Sequence, residues 1–188
     1  MAPAVLSVRE MQEKDTELIA DYFLNASGDF LVKMGVDIAK VPPKNEWIQF
    51  LSEQLCQEYA DKTSYCIIWQ LDDRPIGHSN LNKIIFGQEA YMHLHLWDGK
   101  RRKKGTGNAF VKMTLPHYFK NLRLQTLFCE PNALNAAPNK TLEKTGFRFI
   151  KTKIATPGWL NFEQPVNQWE LNREDFEKME IDYDLKGM

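Results

Sequence analysis

The sequence predicts a single mixed α/β domain over residues 1–188. Its centre is a mostly antiparallel sheet of about six to seven strands, flanked by helices. Three observations predict this. Strand-like runs joined by short turns dominate the first half. Two strand-to-helix passages follow in the second. No repeat, low-complexity tract or linker divides them, and 188 residues suit one core.

In order, VLSVREM (5–11) alternates as a first strand. Residues 14–26 carry apolar side chains at helical spacing. A mixed segment follows, broken at Pro42 and Pro43. Residues 45–60 place Trp47, Phe50, Leu51, Leu55 and Tyr59 on one helical face, with Asn45 as a cap. SYCIIWQL (64–71) is a strand, DDRP a turn, and PIGHSNLNKIIF (75–86) the next strand. FGQE (86–89) reads as a tight hairpin with a two-residue Gly87–Gln88 loop, and AYMHLHLW (90–97) as the return strand. A helix over about 107–120, a strand at 124–130 and a short helix at 135–145 come next. GFRFIKTKI and a run within WLNFEQPVNQWEL supply the last strands, and the charged C-terminal stretch is partly helical.

Composition excludes several classes. With 43% apolar and 26% charged residues the chain reads as globular. Lys+Arg is 24 against Asp+Glu 25, so no basic excess points to nucleic acid or a membrane surface. The start lacks a basic segment followed by a long apolar one, so no signal peptide is expected. Apolar runs are far short of the roughly 20 residues that span a bilayer. Cys56, Cys66 and Cys129 have no metal-like spacing. A cytoplasmic protein without a metal is the expectation.

Against that near-neutral background, RRKKGTGNAF (101–110) gathers four cationic side chains before two glycines and a helix. A helix N-terminus presents unpaired N–H groups and partial positive charge, and glycines let an anion approach the backbone. The loop is therefore a candidate phosphate site. It is not a Walker A loop, because Lys104 precedes Gly105 and no Gly-Lys-Ser/Thr follows.

Arg102-Lys103-Lys104-Gly105-Thr106-Gly107 resembles the R/Q-x-x-G-x-G/A motif of the GCN5-related N-acetyltransferases (GNAT). EPNALNAAPNKTLEKTGFRF (130–149) is similar to the downstream segment of that superfamily, closest in form to its ribosomal-protein acetyltransferase-like branch. The resemblance implies a sheet splayed between strands 4 and 5, with acetyl-CoA as cosubstrate. It implies that Arg102, Lys103, Lys104, Gly105, Thr106, Gly107 and Asn108 surround the pyrophosphate, with Lys103 and Lys104 toward the extra ribose phosphate. It implies that Asn135 contacts the pantetheine arm, that Lys140 lies near the cofactor, and that a backbone N–H near Leu96–Trp97 receives the thioester oxygen. Two positions depart from the pattern: Pro138 stands where the branch commonly has Ser, and Leu142 where many members have a Tyr that protonates the departing thiolate.

The acceptor side is read from alternation. Tyr91, His93, His95 and Trp97 share one strand face, and Met92, Leu94 and Leu96 the other. Pairing across a two-residue loop sets His95 opposite Asn80, His93 opposite Asn82 and Trp97 opposite His78. The result is a polar floor of His78, Asn80, Asn82, His93 and His95, of which His78, Asn80 and Asn82 are candidates for the acceptor. A register slip of one residue would flip the partner set. Acetylating an amine requires a proton acceptor, and imidazole suits the task near neutrality. His95 lies nearest the strand end and is the first candidate base, His93 the second. His117 reads as surface or packing, and Trp47, Phe50 and Leu51 as core. Asp29, Asp37 and Glu46 are possible partners for a cationic amine. The expected reaction is direct acetyl transfer to a small-molecule or protein amine, by a monomer or homodimer. The alternative is a CoA-binding module without catalysis.

Overall fold

The structure, a computed structural model, describes residues 4–97 and 106–186, with side chains to Glu180. Seven strands form one sheet: β1 (Leu6–Glu10), β2 (Tyr65–Leu71), β3 (Arg74–Ile85), β4 (Glu89–Leu96), β5 (Thr126–Cys129), β6 (Arg148–Ala155) and β7 (Gln164–Asn172). Their spatial order is β1-β2-β3-β4-β5-β7-β6, antiparallel everywhere except the parallel β4–β5 pair. The last strand therefore inserts between β5 and β6.

Alternation along β2 divides the core in two. Tyr65, Ile67 and Trp69 face α4 (Thr106–Pro116), α5 (Ala136–Thr145) and α6 (Arg173–Lys186). Cys66 and Ile68 face α1 (Thr16–Leu24), α2 (Gly28–Lys33) and α3 (Lys44–Leu55). The spacing of Ile19, Ala20 and Phe23, and of Phe110, Val111, Thr114 and Leu115, gives α1 and α4 one buried stripe each. Each large side chain so buried contributes roughly 1.5–3 kcal/mol.

Several local expectations are corrected. The helix expected over 45–60 runs from Lys44 to Leu55, so Asn45 is inside its first turn and Tyr59 outside it. The helix expected over 107–120 ends at Pro116 and continues as a π-helical segment, His117–Asn121. Proline supplies no N–H to the preceding turn, and the wider π turn carries Tyr118 and Phe119 into the core. The mixed segment contains the short α2, whose Ser27 side chain accepts from Phe30 N–H. α5 stops at Gly146, whose φ of +99° closes the helix while Phe147 N–H reaches back to Leu142 O.

The β3–β4 register is shifted from the expected one. The turn has three residues, Phe86 to Gln88, closed by Ile85 pairing with Glu89. A bulge then intervenes between Asn82 and Ile85, with Lys83 at φ +47°. Each feature moves the pairing by one residue. The total is two, and an even shift preserves the faces. His95 thus lies opposite His78, His93 opposite Asn80, and Tyr91 opposite Asn82.

Gly77 sits under the end of β4, opposite Leu96. A Cβ there would lie 2.5 Å from the His95 carbonyl oxygen and 3.2 Å from Leu96 Cα. Both neighbours are backbone, so they cannot swing aside. Gly77→Ala is expected to lower stability by about 2 kcal/mol in urea unfolding; an unchanged midpoint would show that β4 is not held this tightly.

Candidate active site

Two halves of the site meet on β4. The backbone of Trp97 donates to Ile76 O at 2.9 Å, so odd-numbered residues of β4 bond toward β3. Leu94 and Leu96 therefore direct their backbone groups to the β5 side. There β5 pairs only as far as Met92↔Cys129. At the last pair the Cys129 thiol donates to Met92 O at 3.0 Å, and β4 runs on to Leu96 paired with β3. The sheet is open beyond that point.

Thr106, Gly107 and Asn108 form the first turn of α4, which packs on α5. Among the described residues, the nearest atom to a Cβ on Gly107 would be Thr141 Oγ1 at 3.6 Å. Asn108 Oδ1 accepts from Thr145 Oγ1–H at 2.8 Å, which ties the first turn of α4 to the end of α5. Asn135 is exposed at the start of α5, and Lys140 is exposed on that helix. Arg102, Lys103, Lys104 and Gly105 lie outside the described residues. Leu142 is fully buried in the core.

The other half is the sheet face toward α1–α3. His78 and His95 stack with ring centroids 4.6 Å apart and planes at 19°. Trp97 Nε1–H donates to His78 Nδ1 at 2.8 Å. An indole N–H only donates, so that imidazole nitrogen is unprotonated. His95 also meets Tyr22 at 5.6 Å and Phe23 at 5.3 Å, both edge-on. Four polar atoms on this side are buried without a hydrogen-bond partner among the described residues: Trp47 Nε1, Asn82 Oδ1, His93 Nε2 and His95 Nδ1.

Burial sets the charge of these rings. It pushes His78 down to about 3, helped by His93. It pushes His93 down to about 4, helped by Lys83. His95 is held well below the usual imidazole range by burial and by the other two rings. All three are neutral near pH 7.

A segment the sequence did not announce roofs this face. Residues 156–161 are tied to the turn after α2: Asp37 N–H donates to Leu160 O at 2.8 Å, Asn161 Nδ2 to Gly35 O at 2.9 Å and Lys40 Nζ to Asn161 O at 2.9 Å. Gly158 lies so close that a Cβ would stand 2.9 Å from Asn82 Nδ2 and 3.4 Å from His93 Cε1. Trp159 stacks obliquely on Trp47 at 5.5 Å. Trp47 and Leu51 are core, as expected, but Trp47 also walls the site. Asp37 caps its own turn through Ala39 N–H, while Asp29 and Glu46 are exposed. Among the described residues no group of three His, Cys, Asp or Glu is placed to hold a metal ion, and no helix is long and apolar enough to cross a membrane.

The candidate site thus has three parts: a parallel strand pair that opens after Met92 and Cys129, the first turn of α4, and imidazoles on the sheet face toward α1–α3. The chain belongs to the GNAT acetyltransferases: residues 6–148 match the model of the acetyltransferase (GNAT) domain. Solved structures share the fold. The aminoglycoside acetyltransferase AAC(6')-Ib in complex with coenzyme A is 18% identical, with a TM-score of 0.70 over 93% of this chain and 98% of that one. The spermidine N-acetyltransferase from Vibrio cholerae in complex with CoA and spermine is 13% identical, with a TM-score of 0.74 over 92% and 98%. RimL, the ribosomal L7/L12 alpha-N-protein acetyltransferase in complex with coenzyme A, is 14% identical, with a TM-score of 0.72 over 90% and 95%. No curated protein matches the sequence.

The neutral rings have a thermodynamic consequence. Unfolding restores each to about 6.5, so the unfolded chain binds more protons as pH falls below that value. Stability from this source is complete above about pH 6.5 and is lost as pH falls toward 4. Below about pH 6 the slope is expected to approach about 1.4 kcal/mol per pH unit for one ring and three times that for all, and to be shallower between pH 7 and 6. Urea unfolding at pH 7, 6 and 5 measures it; His95→Asn should flatten the slope, and an unchanged slope would contradict the assignment.

Proposed function

We propose that the chain acetylates a primary amine, with acetyl-CoA as cosubstrate and His95 as the proton acceptor. The observation that carries this reading is the position of β4: its edge faces the open gap to β5, and its side chains present neutral imidazoles on the face toward α1–α3. The relatives named above, solved with coenzyme A and acting on amines or a protein amine, support the class of reaction.

Gly107 fits a phosphate-bearing ligand, because glycine in the first turn of α4 adds no side chain of its own over the helix N–H groups. Thr106, Gly107 and the main chain of Asn108 would hold the pyrophosphate, with Arg102 to Gly105 completing the loop. Asn135 and Lys140 would flank the pantetheine arm. When bound, acetyl-CoA supplies an acetyl carbonyl activated as a thioester. The amine nitrogen forms the new C–N bond, the C–S bond breaks, and its electron pair leaves with sulfur. The proton lost by nitrogen goes to the imidazole. His95 is ready to accept because it is unprotonated, and nitrogen becomes acidic as the bond forms. His78 and Trp97 hold the stacked ring in place. His93 is the second candidate base, with Asn80 and Asn82 on the same floor for the acceptor.

Leu142 favours a second reading, CoA binding without turnover, since the usual acid is replaced by a core side chain. A thiol of ordinary pKa near 8.5 is a fair leaving group without that acid, so acetyl transfer remains the primary reading.

His95→Ala separates the two. It is expected to lower kcat by about a hundredfold or more while acetyl-CoA affinity by calorimetry changes less than about threefold. Unchanged turnover would remove His95 from the mechanism. Gly107→Glu places a carboxylate where phosphate binds and is expected to abolish acetyl-CoA binding by a protein that still unfolds cooperatively; retained binding would move the pyrophosphate elsewhere.

A further inference from the structure

A polar cavity lies at the β1–β2 edge of the sheet, whereas the imidazoles stand on β3 and β4. It forms where the end of α3 meets the end of β1 and the start of β2. Glu10, Lys62 and Ser64 line it with polar groups, and Met11, Leu55 and Tyr65 with apolar ones. Hydrogen bonds fix its walls. Gln54 Oε1 accepts from the main-chain N–H groups of Thr63 and Ser64, each at 2.9 Å. Met11 N–H donates to Cys66 O at 3.0 Å. The loop after α3 is thereby held in one shape around the cavity.

Two opposite charges line this cavity without pairing. Lys62 is only 9% exposed, and its Nζ donates to Gln54 O at the C-terminal end of α3. An ammonium group carries three donors. Among the described residues no other acceptor takes those of Lys62. Burial draws the Lys62 pKa below the usual lysine range, and the Glu10 charge opposes that shift. Glu10 Oε1 accepts from Tyr59 O–H at 2.8 Å and from Asn121 Nδ2 at 3.1 Å. Its Oε2 takes no hydrogen bond among the described residues. A lone anion entering here would meet Glu10, and a lone cation would meet Lys62. A ligand with both charges satisfies the two together. The cavity volume is about 50 Å³. That is room for about three to five water-sized groups, so the charged ends of the ligand leave space for little else.

We propose that this cavity binds a small zwitterion, an α-amino acid the size of glycine, with its carboxylate on Lys62 and its ammonium on Glu10. The site is separate from the acceptor site on β4 and does not rest on the acetyltransferase reading.

The test is a nitrogen-15 NMR titration of the full chain with glycine, acetate and methylamine, without acetyl-CoA. Glycine is expected to shift the amides of residues 62–66 saturably. Acetate and methylamine, with one charge each, are expected to bind about tenfold more weakly or worse. Glu10→Gln keeps an acceptor for Tyr59 and Asn121 but removes the charge, and is expected to weaken glycine by about tenfold or more. His95→Ala is expected to leave these shifts unchanged, which separates this cavity from the acceptor site. No saturable shift with glycine overturns the proposal, since the cavity then holds water only. Acetate or methylamine binding as well as glycine overturns it too, because one charge then suffices. So does a folded Glu10→Gln with undiminished glycine affinity, or loss of the shifts in His95→Ala.

Discussion

The organisation of this protein depends on one departure from regular pairing, the divergence of β4 from β5 after Met92 and Cys129. A parallel ladder that stops mid-strand leaves main-chain groups without their usual partners, which is costly inside a protein. The Cys129 thiol covers the first of them by donating to Met92 O. Further along, β4 no longer pairs with β5. On its other edge β4 remains bonded to β3 through Trp97, and Gly77 allows that contact to be close. One strand can therefore serve an open edge because its other edge is firmly held.

The imidazole face is the second consequence. Cross-strand pairing puts His78 against His95, and the Trp97 indole gives His78 a fixed proton arrangement. Two stacked rings in a buried setting repel if both are charged, so the arrangement is tolerated because burial keeps them neutral. Neutrality that lowers stability in acid is the same property that leaves a nitrogen lone pair available near pH 7. Structure and chemistry draw on one electrostatic fact.

Much of this was legible in the sequence, and the reasons differ by element. β2, β3 and β4 were visible because alternation is a local signal. The polar floor survived an error in the turn because the extra loop residue and the bulge at Lys83 sum to an even shift. The π-helical segment after Pro116 was not legible, since its cause is packing of Tyr118 and Phe119 in the core. The roof of Gly158 and Trp159 was hidden for another reason. Its contacts reach back more than a hundred residues, to Gly35, Lys40 and Trp47. The Pro157-Gly158-Trp159 run marks a turn, but nothing local says what it covers. The cationic loop stood out by composition alone, while the positions of Asn108 and Leu142 required the packing of α4 against α5.

The central claim is that the three imidazoles are neutral in the folded protein, with the tautomer of His78 set by Trp97. Nitrogen-15 NMR of the histidine rings tests it directly. At pH 6 the account expects His78, His93 and His95 all unprotonated, with His78 protonated at Nε2 and accepting at Nδ1. An imidazolium signal from His95 or His78 in the folded protein at that pH would contradict it.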